Sequence, residues 1–298
     1  MHIYLIGNGV IAKALAVSLR LNNKNVTILR GSVDEQPVTS ELIRLEAGNE
    51  LFQTEVNIST ISNYDQLDGL ILLTTKTFGN NTIAGKLRDK VGSSPVVLLQ
   101  NGLHIESSFM DFPALYRCAL FATSQFGDEG KIRFKLVGPS PIGTINGSHE
   151  TLQRIVAEIT TDIFPFRVEA DIQPIVWKKA ICNCVFNSIC PLLEIDNGVF
   201  HRNVVALEMA KQVITECLAV AHQHNINLTF DDVLNNLLAL SKMSDGQKIS
   251  TYQDILNKRE TEIDTLNFAI AQAAGDLPVP ATALLGKLAK LKSDLSRV

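Results

Sequence analysis

HIYLIGNGVIAKALAVSLRL, at residues 2–21, contains a short apolar strand, a glycine turn and an apolar helical pattern in direct succession. We predict a strand at 2–6, a helix at 9–21 and a second strand at 25–29. A strand–helix–strand unit of this kind is typical of a parallel sheet that is covered by helices. The start of the chain is apolar but has no basic leader, so we interpret it as a strand and not as a signal peptide.

Short runs rich in Ile, Leu and Val continue this pattern through the first half of the chain. They predict further strands at 55–59, 69–74, 95–99, 117–125, 131–137 and 166–168. The stretch Gly127–Gly130 is typical of a hairpin turn, so we expect the far edge of the sheet to be antiparallel.

From about residue 171 helical periodicity dominates and strand-like runs are absent. The predicted fold class is therefore α/β: an N-terminal Rossmann-type doubly wound sheet with an antiparallel extension, followed by an all-helical C-terminal domain. We place the first domain at 1–169 and the second, helical domain at 170–298.

The composition agrees with a globular protein of two domains. The 298 residues are 46% hydrophobic and 19% charged, with a net charge of -4 and no long basic run. This charge disfavours nucleic acid or an anionic membrane as a partner, and no apolar run is long enough to cross a bilayer. An odd number of cysteines, five, favours a reducing compartment, and we expect a cytoplasmic protein.

The glycine turn predicts a dinucleotide site. It follows a strand and opens a helix, where backbone N–H groups and the helix dipole favour a pyrophosphate. Alanine stands at the third glycine position, which mainly sets helix packing. The candidate cofactor-binding residues of the turn are Gly7, Asn8, Gly9, Val10, Ile11 and Ala12. The alternative is a strand-to-helix turn in which the glycines serve steric needs alone.

The residue after the second strand indicates which dinucleotide binds. An NAD enzyme has an acid there to hold the ribose 2′-hydroxyl, whereas this chain has Arg30. Arginine suits a 2′-phosphate because its planar fork of donors binds phosphate oxygens in pairs. We therefore predict NADPH. Two alternatives stay open: Asp34 or Glu35 serves NAD if the strand ends later, and Arg30 is an exposed loop residue.

WKKAICNCVFNSICP, at residues 177–191, is an apolar helical segment that we expect to end at Pro191. Lys179, Asn183 and Asn187 are spaced four residues apart and share one stripe of the predicted helix. Buried amine and amide groups need polar partners, which a ligand with oxygen atoms would provide. Cysteine and histidine pairs two residues apart point to nearly opposite sides of a helix, so we predict no metal site at Cys182 with Cys184 or at His222 with His224.

Ordered motifs along nearly the whole chain resemble those of the ketopantoate reductase family. The family has a glycine turn, a lysine and a Gln-Asn-Gly turn after later strands, a W-x-K-x-x-x-N-x-x-x-N helix, a serine, and a T-E-I-D element. Their counterparts in this chain are Gly7–Ala12, Thr75-Lys76, Gln100-Asn101-Gly102, Trp177–Asn187, Ser250–Asp254 and Thr261–Asp264.

The resemblance implies NADPH-dependent reduction of ketopantoate, a small 2-keto acid, to pantoate in pantothenate and coenzyme A synthesis. It implies that Lys179 protonates the keto oxygen, that Asn183, Asn187 and Ser250 hold the substrate, and that Glu262 accepts a substrate hydrogen bond. It places Lys76 and Asn101 near the nicotinamide, with Asn101 also against substrate and Glu262 also near the cofactor. We expect the active site in a cleft between the domains of a monomer or homodimer.

Several simpler interpretations remain. Lys76 can be a solvated loop lysine, Asn101-Gly102 an ordinary turn, and Glu262 part of a solvated ion-pair surface. The family usually has methionine and leucine where this chain has Thr251 and Tyr252. The alternative functions are therefore reduction of another 2-keto or 3-keto acid, and non-catalytic sensing of NADPH.

Overall fold

The computed structural model describes residues 1–298. The strands are β1 (His2–Ile6), β2 (Asn25–Arg30), β3 (Thr39–Ala47), β4 (Glu50–Thr60), β5 (Leu70–Leu73), β6 (Val96–Leu98), β7 (Leu115–Cys118), β8 (Ala122–Phe126), β9 (Ile132–Leu136), β10 (Ser140–Asn146) and β11 (Phe166–Val168). The helices are α1 (Val10–Leu21), α2 (Asn80–Leu87), α3 (His149–Ile159), α4 (Gln173–Leu193), α5 (Val199–Arg202), α6 (Val204–Gln223), α7 (Phe230–Met243), α8 (Ser250–Leu256), α9 (Asn267–Ala273) and α10 (Pro280–Ser296).

All strands belong to one sheet, in the order β11-β10-β7-β6-β5-β1-β2-β4-β3-β9-β8. The centre is parallel: β1 lies between β2 and β5, and β5, β6 and β7 follow one another in space. Because Ile6 is level with both Leu29 and Leu73, the residues after β1, β2 and β5 leave the sheet at one edge. This carboxyl edge is where open α/β sheets bind ligands.

Helices cover both faces of the parallel centre. One hydrophobic cluster joins α1 and α3 to one face of the sheet, and a second cluster joins Ile83, Ala84 and Leu87 of α2 to the other face. Antiparallel pairs, β3 with β4 and β8 with β9, extend the sheet beyond β2. The predicted fold class, a doubly wound sheet with an antiparallel extension and a helical C-terminal part, is confirmed.

Several strand predictions were incomplete. The predicted strand at 117–125 is two strands, because β7 is fully buried in the sheet while β8 lies at its far edge. β3 was missed because its half-exposed pattern alternates apolar residues with good helix formers such as Glu and Arg. β10 was missed because it contains Pro141 and Gly143; a Cβ at Gly143 would lie 2.5 Å from Cβ of Ile172, so only glycine fits.

The C-terminal part is helical, and α4 packs against α6, α7, α8 and α10. Burial along most of its sides explains the apolar sequence from Ala180 to Pro191. The prediction that Pro191 ends this helix was wrong by two residues, since α4 continues to Leu193. A proline so close to the end removes one N–H only, and the amide of Ile195 donates to the Cys190 carbonyl to close the turn.

The chain forms two compact units. The first comprises Met1–Gln100 and Ile105–Ile172, and the second comprises Asn101–His104 and Gln173–Val298. The assignment of cofactor binding to residues 1–169 and of substrate binding to 170–298 stays a prediction. None of the helices combines the length and the apolar character that crossing a bilayer requires.

Candidate active site

The glycine turn has the geometry that a close backbone approach requires. Gly7 has φ +118°, and a Cβ there would lie 2.8 Å from Oγ1 of Thr74 at the end of the neighbouring strand. Gly9 is the N-cap of α1, and a Cβ there would meet nothing within 4 Å. The first turn of α1 contains no acidic residue. The helix N-terminus therefore faces open space in front of Gly9 with its partial positive charge uncompensated.

The side chain of Asn8 provides a second indication of a ligand. Its Oδ1 atom is buried and has no hydrogen-bond partner. A buried polar atom without a partner costs free energy, so a donor from a bound molecule would stabilise this turn. Ala12 is completely buried, as expected for a residue that sets the packing of the helix on the sheet.

Arg30 is the last residue of β2 and is partly exposed, so it stands at the carboxyl edge beside the glycine turn. Asp34, one of the two acids that could hold the ribose of NAD, is bound by a lysine instead. Lys86 donates to both of its carboxylate oxygens at 2.7 and 2.8 Å and also to the Gly31 carbonyl. The other acid, Glu35, is exposed with φ +53°. The strand end therefore presents a guanidinium and not a carboxylate.

A buried pair of amides joins the turns that follow β5 and β6. Nε2 of Gln100 donates to Oδ1 of Asn80 at 2.6 Å and to the Thr75 carbonyl at 2.9 Å. Nδ2 of Asn80 donates to Oε1 of Gln100 and to the Ile105 carbonyl, both at 3.2 Å. The pair thus fixes the residue before Lys76 and both ends of the segment 101–104. We did not predict Asn80. An asparagine at the start of a helix is common, and nothing in the local sequence indicates that it pairs with Gln100, twenty residues later.

The segment Asn101–His104 packs with the helical unit. Oδ1 of Asn101 accepts a hydrogen bond of 2.7 Å from Nζ of Lys179 on α4. Leu103 donates its backbone N–H to the Thr265 carbonyl at 2.8 Å. Gly102 has φ +107°, and a Cβ there would overlap the side chain of Thr265. Glycine is therefore required for Asn101 to reach the lysine.

His104 occupies the left-handed region at φ +55° and belongs to a ring cluster that we did not predict. Its ring meets that of Trp177 edge-on at a centroid distance of 6.3 Å, and Trp177 stacks on His224 at 5.6 Å. His224 in turn bonds the Ala273 carbonyl through Nε2 at 2.9 Å. These contacts fix the end of the segment that contains Asn101.

The stripe on α4 continues from Lys179 to Asn183, which is partly buried, and to Asn187, which is fully buried. Asn187 donates from Nδ2 to the Asn183 carbonyl, and its Oδ1 accepts from Oγ of Ser250 and from the Thr251 N–H, both at 3.3 Å. The structure thus brings three of the predicted substrate residues together. Their contact with a substrate stays a prediction.

Glu262 is partly buried and begins a short 3-10 turn at Ile263–Thr265. Its carbonyl accepts from the N–H and the hydroxyl of Thr265, the residue that also contacts Gly102. Ion pairs also lie close to it in sequence: Lys290 binds Asp264 at 3.0 Å and Arg259 binds Asp254 at 3.1 Å.

The two residues that depart from the family pattern are buried. The backbone N–H of Thr251 bonds Asn187, and the hydroxyl of Tyr252 donates to the Glu194 carbonyl at 3.4 Å. The larger ring of Tyr252 therefore fills space beside the end of α4.

The cysteines of α4 are free thiols inside the core. Burial raises the pKa of Cys182 to about 11 and that of Cys190 to about 12, and it raises the pKa of Cys184 well above its usual range. These thiols stay protonated at neutral pH.

Two family models match the chain. The model described as ketopantoate reductase PanE/ApbA matches residues 3–146, and the model of its C-terminal part matches residues 171–293. A 2-dehydropantoate 2-reductase from Pyrococcus horikoshii is 25% identical over 300 residues, which cover 99% of this chain and 98% of that protein.

Solved structures share the fold at lower identity. D-mandelate dehydrogenase with NADH and anilino(oxo)acetate has a TM-score of 0.86 at 20% identity, with 100% of both chains covered. A dimeric ketopantoate reductase from Staphylococcus aureus has a TM-score of 0.83 at 16% identity, with 99% of this chain and 100% of that chain covered.

Proposed function

This chain belongs to the ketopantoate reductase family, and on that premise we propose that it reduces 2-dehydropantoate to pantoate with NADPH, a step of pantothenate and coenzyme A synthesis. The hydrogen bond from Lys179 to Asn101 is the observation that carries the proposal. It holds a proton-donating amine in a fixed direction on a helix that also presents the amide of Asn183.

The residues of the glycine turn fit a dinucleotide. The open space in front of Gly9 would admit the pyrophosphate to the N–H groups that begin α1. The unpartnered Oδ1 of Asn8 would accept a hydrogen bond from a ribose hydroxyl of the dinucleotide or from an ordered water. Lys76 and Glu262 would lie against the cofactor, as the family resemblance implies. When bound, the nicotinamide supplies the hydride that reduces the keto carbon.

Arg30 supports NADPH over NADH. A guanidinium donates two parallel hydrogen bonds to a phosphate. NADH has a hydroxyl group at the 2′ position in place of this phosphate, so it cannot accept the same pair of bonds. Asp34, the acid nearest in sequence, is neutralised by Lys86. The end of β2 therefore provides positive charge where the 2′-phosphate of NADPH would bind.

Lys179 is the proposed general acid. Reduction of a keto carbon places negative charge on its oxygen, and an ammonium within hydrogen-bond reach both stabilises that charge and delivers a proton. The bond to Asn101 orients Nζ before substrate binds, which reduces the entropy that must be lost at the reacting step.

Asn183, Asn187 and Ser250 are the proposed substrate residues, with Glu262 for a substrate hydroxyl. An amide and a hydroxyl donate to a carboxylate, and a carboxylate accepts from a hydroxyl. Asn187 has an additional role, since its Oδ1 atom holds both Ser250 and the backbone of Thr251 in place.

A second candidate is reduction of another 2-keto acid on the same site. The departures from the family pattern at Thr251 and Tyr252 favour it, because the backbone N–H of Thr251 bonds the proposed substrate residue Asn187. Both candidates use the same lysine and cofactor, so they differ only in substrate.

NADPH oxidation by purified protein with a panel of 2-keto and 3-keto acids tests the proposal. We expect ketopantoate to give the highest kcat/KM of the panel. If pyruvate or phenylglyoxylate reacts as fast as ketopantoate, the narrow assignment fails. If NADPH binds but no keto acid is reduced, the protein is not a reductase of this class.

A further inference from the structure

Phe78 is a large apolar side chain that the fold leaves 60% exposed. It lies in the short 3-10 turn Thr77–Gly79 that follows β5, and it belongs to neither hydrophobic cluster of the sheet. A single exposed apolar residue is common on a protein surface and by itself indicates nothing. What distinguishes Phe78 is its position at the carboxyl edge of the parallel strands, where an open α/β sheet binds its ligand.

The side chain of Ile83 on α2 joins this turn to the end of β2. A Cβ at Gly31 would lie 3.2 Å from Cδ1 of Ile83, and a Cβ at Gly79 would lie 3.6 Å from the same atom. The backbone at the two glycines is therefore separated by a single methyl group. Arg30 and Phe78 are the residues immediately before these glycines. The proposed ligand of the 2′-phosphate and the exposed phenylalanine are thus close neighbours.

The segment that contains Phe78 also begins at the glycine turn. A Cβ at Gly7 would lie 2.8 Å from Oγ1 of Thr74 and 3.0 Å from Cγ2 of Thr75, so the residues after β5 lie against this turn. From there the chain continues to Phe78, beside Arg30. One segment thus links the proposed pyrophosphate site to the proposed 2′-phosphate site. The adenosine of NADPH is the part of the cofactor that connects these two phosphate groups.

Adenine is the group of this adenosine that suits an exposed phenyl ring. It is bonded directly to the ribose that carries the 2′-phosphate, so it lies within a few bond lengths of the atoms that Arg30 would bind. Its faces are flat, aromatic and uncharged, and such faces stack on aromatic side chains. Stacking removes apolar surface of both rings from water.

We propose that Phe78 stacks on the adenine ring of the dinucleotide and that the turn Thr77–Gly79 forms an adenine subsite. The inference rests on the proposed function, because it requires an adenine dinucleotide as cofactor. It assigns different effects to two neighbouring residues. Arg30 selects the phosphorylated cofactor, whereas Phe78 adds affinity for every ligand that contains the base.

Calorimetric titration with NADPH, NADH and adenosine 2′,5′-bisphosphate tests the subsite without turnover. Since all three ligands contain adenine, Phe78→Ala should weaken each of them about tenfold, with an unchanged thermal midpoint. Phe78→Tyr keeps an aromatic ring and should stay within about twofold of wild type. Equal affinities of Phe78→Ala and wild type, or a loss confined to the two ligands with a 2′-phosphate, would overturn the proposal.

Phe126→Ala is the matched control, since Phe126 is 58% exposed on β8 at the far edge of the sheet. It should leave all three affinities unchanged, and a loss equal to that of Phe78→Ala would overturn the assignment. A wild type that binds none of the three ligands would refute the proposed function together with the subsite. Wild-type binding that Phe78→Ala leaves intact would refute the subsite alone.

Phe78→Trp gives a spectroscopic test of the stack. The chain contains one tryptophan, Trp177, which is buried, so the emission of the added indole is the difference between variant and wild type. Saturating adenosine 2′,5′-bisphosphate should quench most of this added emission, because a stacked base is in direct contact with the indole. Added emission that stays unchanged while calorimetry shows the ligand bound would overturn the proposal.

Discussion

Nζ of Lys179 donates to Oδ1 of Asn101 across 2.7 Å, although 78 residues separate the two in sequence. Asn101 is brought there by Gly102, whose missing Cβ admits Thr265, and by the ring contacts of His104 with Trp177. A short segment after a sheet strand thus completes a polar site on a helix.

A substitution in the glycine turn should change NADPH affinity without changing the stability of the fold. Gly9→Ala should leave the thermal midpoint unchanged, since its φ of −84° suits alanine and the new methyl meets no atom. It should weaken NADPH binding at least about tenfold, because the methyl occupies the space in front of α1. Fluorescence titration with NADPH measures the effect.

Gly85→Ala on α2 is the matched control, since a Cβ there also meets nothing within 4 Å. We expect it to leave NADPH affinity unchanged and to stabilise the fold by up to about 1 kcal/mol. Equal NADPH affinity of Gly9→Ala and wild type would show that the turn does not hold the pyrophosphate.

Arg30→Ala should weaken NADPH about 10- to 100-fold and NADH by less than about threefold, because only NADPH loses a charged hydrogen-bond partner. Paired titrations with the two cofactors provide the comparison. Arg44→Ala removes an exposed arginine of β3 and controls for net charge. Equal losses for both cofactors would contradict the assignment of Arg30 to the 2′-phosphate.

The buried amide pair predicts a positioning role for Asn80. Asn80→Ala removes the bonds to Gln100 and Ile105 that fix both ends of the segment containing Asn101. We expect kcat to fall about tenfold, because a small displacement of catalytic groups is costly. Ile83→Ala, in the same helix and also buried, is the control for lost stability. If both variants keep the same kcat well below their thermal midpoints, Asn80 is merely structural.

We expect the charged carboxylate of Asp196 to stabilise the fold at neutral pH and to lose this effect in acid. Arg202 donates to its carboxylate, and the N–H groups of Gly198 and Gly246 add to this, so the pKa of Asp196 is lowered to about 2. A carboxyl group with a depressed pKa stabilises the fold above its unfolded-state pKa of about 3.9, and this is lost as pH falls towards the folded-state value.

Denaturant unfolding of Asp196→Asn from pH 7 to pH 2 measures this contribution. The variant should be less stable than wild type at neutral pH, and the difference should shrink between about pH 4 and about pH 2. Asp65→Asn, at an exposed aspartate, should show no such trend. A difference that stays constant over this range would contradict the role of the Asp196 charge.

Much of the fold and part of the site could be predicted because they depend on local patterns. The glycine turn between β1 and α1 has a fixed spacing, and four-residue spacing placed Lys179 and Asn183 on one stripe of α4. The strand predicted at 25–29 likewise followed from its apolar run, and β2 continues one residue further, to Arg30.

The rest depends on contacts between distant parts of the chain. The pairing of Asn80 with Gln100 and the ring cluster of His104 are set by the fold of the surrounding elements. β10 contains a proline and a glycine, residues that disfavour a strand. The glycine is needed there because Ile172 packs directly on Gly143. No local pattern encodes these contacts.

The kcat of Lys179→Ala with NADPH and ketopantoate, compared with the kcat of Lys178→Ala, decides whether Lys179 is the general acid. The two lysines are adjacent, but Lys179 alone lies on the stripe with Asn183 and bonds Asn101. We predict that Lys179→Ala lowers kcat by about 10²- to 10⁴-fold with NADPH affinity preserved, as expected for loss of a general acid, and that Lys178→Ala stays within about twofold of wild type. A kcat for Lys179→Ala within about twofold of wild type would show that Lys179 is not the general acid.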